Sequence, residues 1–255
     1  MNPKVQRLCL WCGPALMAVF FTGMIAAHWF PPPLPSATAE QTARMYQQHT
    51  NGIRMCAILV ALGGGLFAPF VAAISSQLRR IEGPYSTLSY LQLGMGVLGT
   101  AFFTLPTVFW MAAAFDPYRN PEITQALHAA GWLPLVALIF PAMFQNAAIA
   151  LAIFTDTRPE PVFPRWVGYF NIWVALLFVP SVLVMFFKSG PFGWNGVMTF
   201  WLAANVFTIW LIVMLVVARR AVAQQEAEEA ADRRAAVDSE ASAQAAELTG
   251  KASTT

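Results

Sequence analysis

Six long segments of this 255-residue sequence contain no Asp, Glu, Lys or Arg. Each approaches or exceeds the ~20 apolar residues that a helix needs to cross a bilayer core of roughly 30 Å. A segment in that environment must be helical, because its backbone finds no water with which to form hydrogen bonds. The sequence therefore predicts an all-α, polytopic bundle of six spans, at residues 8–30, 55–74, 88–114, 131–154, 166–187 and 196–218.

The composition excludes most other classes of protein. Hydrophobic residues make up 57% of the chain and charged residues 11%, against about 25% charged in an ordinary soluble domain. Three cysteines cannot form a disulfide framework. The net charge of +2 provides no basic surface, so nucleic acid is not an expected partner whereas membrane lipids are.

The distribution of basic residues between the short loops predicts the orientation, because cytoplasmic loops are enriched in Lys and Arg. The side that holds both termini carries Lys4, Arg7, Arg79, Arg80, Arg158, Arg165, Arg219 and Arg220, and the other side carries Arg44, Arg54, Arg119 and Lys188. We therefore expect both termini in the cytoplasm.

The chain divides into a six-helix domain, residues 1–220, and an Ala/Glu-rich cytoplasmic tail, residues 221–255. The tail is predicted to continue the last span as a solvated helix and to fray toward Thr255, since it lacks a heptad seam. On the other side, residues 39–49 are helix formers that we expect to lie on the membrane surface. Similar Arg, Pro and Gly-Pro-aromatic spacings in the two halves suggest a weak 3+3 inverted repeat, as secondary carriers use.

Neutral amides are the main polar groups inside the predicted spans. No span has a charged residue near its centre, which argues against proton relays and voltage sensors. Unpaired amides are costly in hydrocarbon, so they must bond one another, carbonyls freed by prolines, or a ligand. If they converge, they predict a site for a small, largely apolar ligand, formed by Gln92, Gln145, Asn146, Asn171 and Asn205. Bonds that merely join the helices are the alternative.

A second set of polar residues lies on the predicted outer rim: His28, Arg54, Asp116, Glu122 and His128. Arg54 is expected either to reach lipid phosphate or to pair with one of the two carboxylates and pin the loop after span three over the bundle. The histidines raise the prospect of metal binding, but none are four residues apart on one helix. We predict no metal site and no cofactor.

Two short motifs have structural explanations. Cys9 and Cys12 form a C-x-x-C, but in a reducing cytoplasm two thiols neither pair nor complete a zinc site. Gly94, Gly96 and Gly99 match a dinucleotide fingerprint, but they lie inside an apolar span. There they favour close packing of helices.

Residues 161–173 and 186–196 resemble segments of an uncharacterised family of bacterial multi-pass membrane proteins, and the similarity extends from about Val5 to Arg220. This resemblance implies a bacterial inner-membrane location and carries over no functional residues. Three functions stay open at this point. The chain either binds or carries a small apolar molecule, docks another integral membrane protein as an accessory subunit, or is an outer-face metal or thiol enzyme. An enzyme is the least favoured of these.

Overall fold

The computed structural model describes the backbone of residues 2–252 and the side chains of residues 2–239. All regular secondary structure in this part of the chain is helical. Six helical segments are long and apolar enough to cross a membrane: Pro3–Ala26, Thr50–Glu82, Thr87–Phe115, Pro121–Thr155, Arg165–Met185 and Gly190–Ser239. They match the six predicted spans one for one, as a multi-pass membrane protein requires. The orientation, the inverted repeat and the domain division stay predictions.

Several spans consist of more than one helix. The α-helices are α1 (Pro3–Ala26), α2 (Ala39–Gln48), α3 (Thr50–Glu82), α4 (Thr87–Gly99), α5 (Ala101–Phe115), α6 (Pro121–Ala137), α7 (Phe140–Thr155), α8 (Arg165–Phe178) and α9 (Leu202–Ala252). Short 3₁₀ helices follow α8 at Val179–Met185 and Gly190–Phe192, and a π-helix at Val197–Trp201 leads into α9. Spans that consist of two helices therefore contain backbone N–H and C=O groups near mid-membrane that lack the regular hydrogen bonds of a continuous helix.

The first span ends at Ala26, four residues earlier than predicted. His28 has a left-handed backbone (φ 58°), and the Trp29 amide donates to the Met24 carbonyl at 2.8 Å. This tight turn directs the Trp29 side chain back into the bundle, where it is fully buried. A β-carbon on Gly52 would lie 2.0 Å from the Ala26 carbonyl oxygen, so the turn requires glycine in the facing helix.

The fourth span breaks at a position that its prolines explain. In a continuous helix, the ring of Pro141 would clash with the carbonyl of Ala137, four residues earlier, and Pro141 has no N–H to donate to that carbonyl. Helix α6 ends at that residue, and Leu138 leaves the helical region with ψ 50°. In the third span the interruption is a tight turn in which the Thr100 amide donates to the Val97 carbonyl at 3.0 Å.

The six spans pack together in chain order, and α3 also contacts α7 and α9. Each span packs against the next, and α9 packs against α1. We call the side with both chain ends the terminal face and the opposite side the distal face. Helix α2 lies at the distal face and packs on α6 and α3, with Thr42, Ala43 and Tyr46 buried. The expected helix is therefore present, but it is part of the bundle.

Helix α9 extends past the terminal face, where polar interactions join it to the start of α1 and the end of α3. Arg7 pairs with Glu226, and Arg80 pairs with Glu228 at 2.6 Å. Between these pairs, the Gln77 amide donates to Gln225 at 2.9 Å. The fraying expected toward Thr255 stays a prediction, because residues 253–255 lie outside the described part of the chain.

Candidate functional site

The six spans together line a central, partly open cavity of about 110 Å³. Its wall is formed where spans depart from regular α-helix: beside the turn at Thr100, the break at Leu138, the end of α8 and the π-helix before α9. The lining is almost entirely apolar and rich in phenylalanine: Met17, Phe20, Phe67, Gly99, Phe102, Phe103, Leu135, Val136, Ile139, Ala142, Gln145, Asn146, Phe178, Thr199, Phe200, Ala203, Ala204, Phe207 and Trp210.

Two adjacent amides, Gln145 and Asn146, are the main polar groups of this wall. Both are 2% exposed. The Asn146 amide nitrogen donates to the Ala142 carbonyl at 2.7 Å, but the Asn146 oxygen and the Gln145 nitrogen have no partner among the described residues. An unpaired buried polar atom costs about 1–3 kcal/mol. Gln145 and Asn146 thus leave one donor and one acceptor without a protein partner at the wall of the cavity.

Gln92 lies behind this wall, on α4. It is fully buried, and its amide nitrogen is 3.5 Å from the Val71 carbonyl while its oxygen has no partner among the described residues. One helical turn later, a β-carbon on Gly96 would lie 2.9 Å from the Gln145 nitrogen. Gln92 therefore belongs to the same buried polar region without lining the cavity itself.

Asn171 also acts from behind the wall. Its oxygen accepts a hydrogen bond of 3.0 Å from the indole nitrogen of Trp210, which lines the cavity. Its nitrogen donates to the Val167 carbonyl at 2.8 Å. Asn171 is therefore satisfied within the protein and positions an aromatic wall residue.

Asn205 does not join the other four amides. Its side chain is exposed on the outer surface of α9, and its nitrogen donates to the Trp201 carbonyl of its own helix at 2.7 Å. The residues that line the cavity from α9 lie on another face of this helix, at Ala203, Ala204 and Phe207. Of the five amides, only Gln145 and Asn146 line the cavity, and Asn205 faces away from it.

A cluster of buried rings lies beside the cavity on the distal side and was not predicted from the sequence. This distal aromatic cluster consists of Trp29, Tyr46, Trp110, His128, Trp132 and Trp194. The ring centroids of Trp29 and Trp110 are 4.9 Å apart in an edge-to-face contact, and those of Trp110 and Trp132 are 5.4 Å apart. Trp132 also contacts Phe200 of the cavity wall. Tryptophans near span ends usually contact the lipid headgroups, whereas these rings are buried inside the protein.

His128 was expected on the exposed rim, but it is buried in the distal aromatic cluster at 3% exposure. Its Nδ1 atom forms a hydrogen bond of 3.1 Å with the Tyr46 hydroxyl. Burial raises the pKa of Tyr46 well above its usual value. The first turns of α6 carry His128 inward because α2 covers that face of the helix.

Arg54 does not form the ion pair with Asp116 or Glu122 that was one of its two expected interactions. Its guanidinium donates to the Ala114 carbonyl at 3.0 and 3.2 Å and to the Phe115 carbonyl at 3.4 Å. Neither Asp116 nor Glu122 is ion-paired with it among the described residues. The last carbonyls of a helix lack partners and carry partial negative charge, so an arginine fork satisfies them directly. Arg54 therefore does hold the end of span three in place, but it binds backbone carbonyls and not a carboxylate.

The remaining rim and cysteine residues do not converge. His28 is exposed and stacks on His49, with ring centroids 4.1 Å apart. Cys9 and Cys12 are partly exposed on α1, and Cys56 is buried. Within the described residues, no group of three or more His, Cys, Asp and Glu side chains is placed to hold a metal ion.

Comparison with known proteins identifies no relative. No family model matches the chain, and no curated protein or solved structure is significantly similar to it. The family resemblance stays an expectation, and the function has to be inferred from the geometry of this chain.

Proposed function

We propose that this protein binds or carries a small, largely apolar molecule that has one hydroxyl or comparable polar group. The observation on which the proposal depends is the cavity wall, in which phenylalanines surround the unpaired donor of Gln145 and the unpaired acceptor of Asn146. A hydroxyl group both donates and accepts hydrogen bonds, so it has the chemistry to pair with either atom.

The size and setting of the cavity agree with this class of ligand. A dry apolar cavity of about 150 Å³ in a protein core binds benzene, and the present cavity is about 110 Å³. The ligand is thus a single ring or a short alkyl segment, or the end of a longer molecule. Interrupted helices around a central site are also a feature of carriers, because the ends of the half-helices and the unwound backbone help to form the site.

Photolabelling tests the proposal on the full chain in mild detergent. The probes are a diazirine attached to phenol and the same diazirine attached to benzene, and the labelled peptides are mapped by mass spectrometry. We expect the phenol probe to label cavity-lining residues of α5, α7 and α9. The double variant Gln145→Leu/Asn146→Leu should reduce labelling by the phenol probe about fivefold or more, since each lost hydrogen bond is worth about 1 kcal/mol, and leave the benzene probe little affected.

Asn205→Leu is the matched control, because it removes an amide of the same chemistry outside the cavity. It should leave both probes unchanged. Labelling confined to the outer surface, or equal labelling by the phenol probe in wild type and double variant, contradicts the proposal.

A further inference from the structure

The exposed side chain of Asn205 is an unusual group at the middle of a membrane span. Its amide carries two N–H donors and an oxygen with two lone pairs. One N–H is used within α9, and the oxygen accepts no hydrogen bond from any described residue. An exposed hydroxyl in another span has no free donor, because Thr22 donates its single proton to the Ala18 carbonyl at 2.7 Å. In hydrocarbon, the free atoms of Asn205 have no water to bind, which is costly.

Asn205 is the first residue of an exposed stripe along α9. Ile209, Ile212 and Val216 follow at spacings of four, three and four residues, with exposures of 52%, 53% and 42%. This is the spacing of a two-helix seam. A single polar residue in such a seam sets its register, and asparagine does so by hydrogen bonding across the contact.

We propose that α9 pairs with α9 of a second copy of this chain about a twofold axis that passes beside Asn205. Two copies inserted in the same direction are related by an axis along the membrane normal, so each seam residue meets its own counterpart at the same depth. An amide is self-complementary under that symmetry, since its donor faces the acceptor of the other copy. No charge opposes this pairing, because α9 has none before Arg219, whose guanidinium lies 5.5 Å from the ring centroid of Trp11 in its own chain.

Disulfide cross-linking tests the seam while leaving Asn205 in place. The background is the full chain with Cys9→Ser, Cys12→Ser and Cys56→Ala, reconstituted in phospholipid vesicles. Ile209→Cys should form a covalent dimer on mild oxidation. Leu151→Cys on α7, which has a similar exposure of 54%, is the matched control and should stay monomeric. Cross-linking of Leu151→Cys in place of Ile209→Cys overturns the proposal.

Counting of subunits by single-molecule photobleaching, over a range of protein-to-lipid ratios, then tests the amide. Asn205→Leu should lower the association constant about 3- to 30-fold, and Thr22→Val should not change it. A wild-type chain that is monomeric at every ratio, or an association constant unaffected by Asn205→Leu, overturns the proposal. So does stoichiometric recovery of another integral membrane protein that is lost in Asn205→Leu.

Discussion

The indole nitrogen of Trp210 donates a hydrogen bond of 3.0 Å to the side-chain oxygen of Asn171, joining α9 to α8 behind the cavity wall. Both side chains are almost completely buried. The Trp210 ring in turn stacks on Phe207, with centroids 5.9 Å apart. Asn171 thus holds the orientation of an aromatic wall without touching the cavity, which makes it a positioning residue.

The first prediction concerns this pair. Asn171→Leu leaves a buried N–H without its acceptor, and Trp210→Phe leaves a buried oxygen without its donor, so each should lower the free energy of unfolding by about 1–3 kcal/mol. Because the two residues share one bond, the double variant should cost about 0.5–3 kcal/mol less than the sum of the single variants. Denaturant unfolding in detergent measures all three, and strictly additive costs would contradict the assignment.

The second prediction separates two glycines of the same helix. A β-carbon on Gly96 would lie 2.3 Å from the Val71 side chain, whereas one on Gly94 would meet nothing within 4 Å. Gly96→Ala should therefore push α4 away from α3 and destabilise the protein by about 1–3 kcal/mol. Gly94→Ala on the same helix is the matched control and should be neutral or slightly stabilising. Equal thermal stability of the two variants would argue against close packing at Gly96.

The contrast between these glycines shows what the sequence could and could not specify. The spans are predictable because charge is absent from long runs, and the break after Ala137 has a visible cause in Pro141. Sequence alone could not show which glycine faces a neighbouring helix. Lipid-facing and core-facing side chains are both apolar here, so the periodicity that reveals the buried face of a soluble helix is weak.

The same limit explains the errors at the candidate site. Gln145 and Asn146 were found as buried amides because polarity in a span is conspicuous, but Asn205 looked equivalent although it faces outward. The distal aromatic cluster was missed for a different reason. Tryptophans near span ends favour the headgroup region, and only the turn at His28 and the packing of α2 bring Trp29 and His128 inside.

The third prediction concerns Arg54, which binds the carbonyls at the end of α5. Arg54→Leu should lower the free energy of unfolding by about 1–3 kcal/mol, because charged hydrogen bonds to the Ala114 and Phe115 carbonyls are lost. Arg54→Lys keeps the charge but not the fork, so its loss should be intermediate. Arg44→Leu removes a rim arginine whose bond is to its own helix, and it should have little effect. Thermal unfolding in detergent compares the three, and an unchanged Arg54→Leu variant would remove the capping role.

The fourth prediction is a pH dependence at Asp156, in the loop between α7 and α8. Burial raises the pKa of this carboxyl, but hydrogen bonds from Arg158 and from the Val162 amide outweigh burial and lower the pKa below its usual value. The stabilisation is thus fully present above the unfolded pKa of about 3.9 and is lost as pH falls through the folded pKa.

Asp156→Asn should therefore destabilise the protein at pH 7 by about 1–3 kcal/mol. The difference from wild type should shrink as the pH is lowered below about 4. Glu160→Gln, an exposed acid in the same loop, is the control. Thermal unfolding from pH 7 to pH 3 measures the effect, and a wild-type-to-variant difference that is constant with pH would contradict it.

The last prediction concerns orientation, and the structure supplies better reporter positions than the basic residues themselves. Arg80 is unsuitable for labelling, because it is bonded to Gln77 and to Glu228. Tyr85 on the terminal face and Tyr118 on the distal face are 86% and 80% exposed. In a chain whose native cysteines have been replaced, Tyr118→Cys should react with a membrane-impermeant maleimide in intact cells. Tyr85→Cys should react only after the membrane is permeabilised, because the excess of Lys and Arg places the terminal face in the cytoplasm. The reverse pattern would place both termini outside.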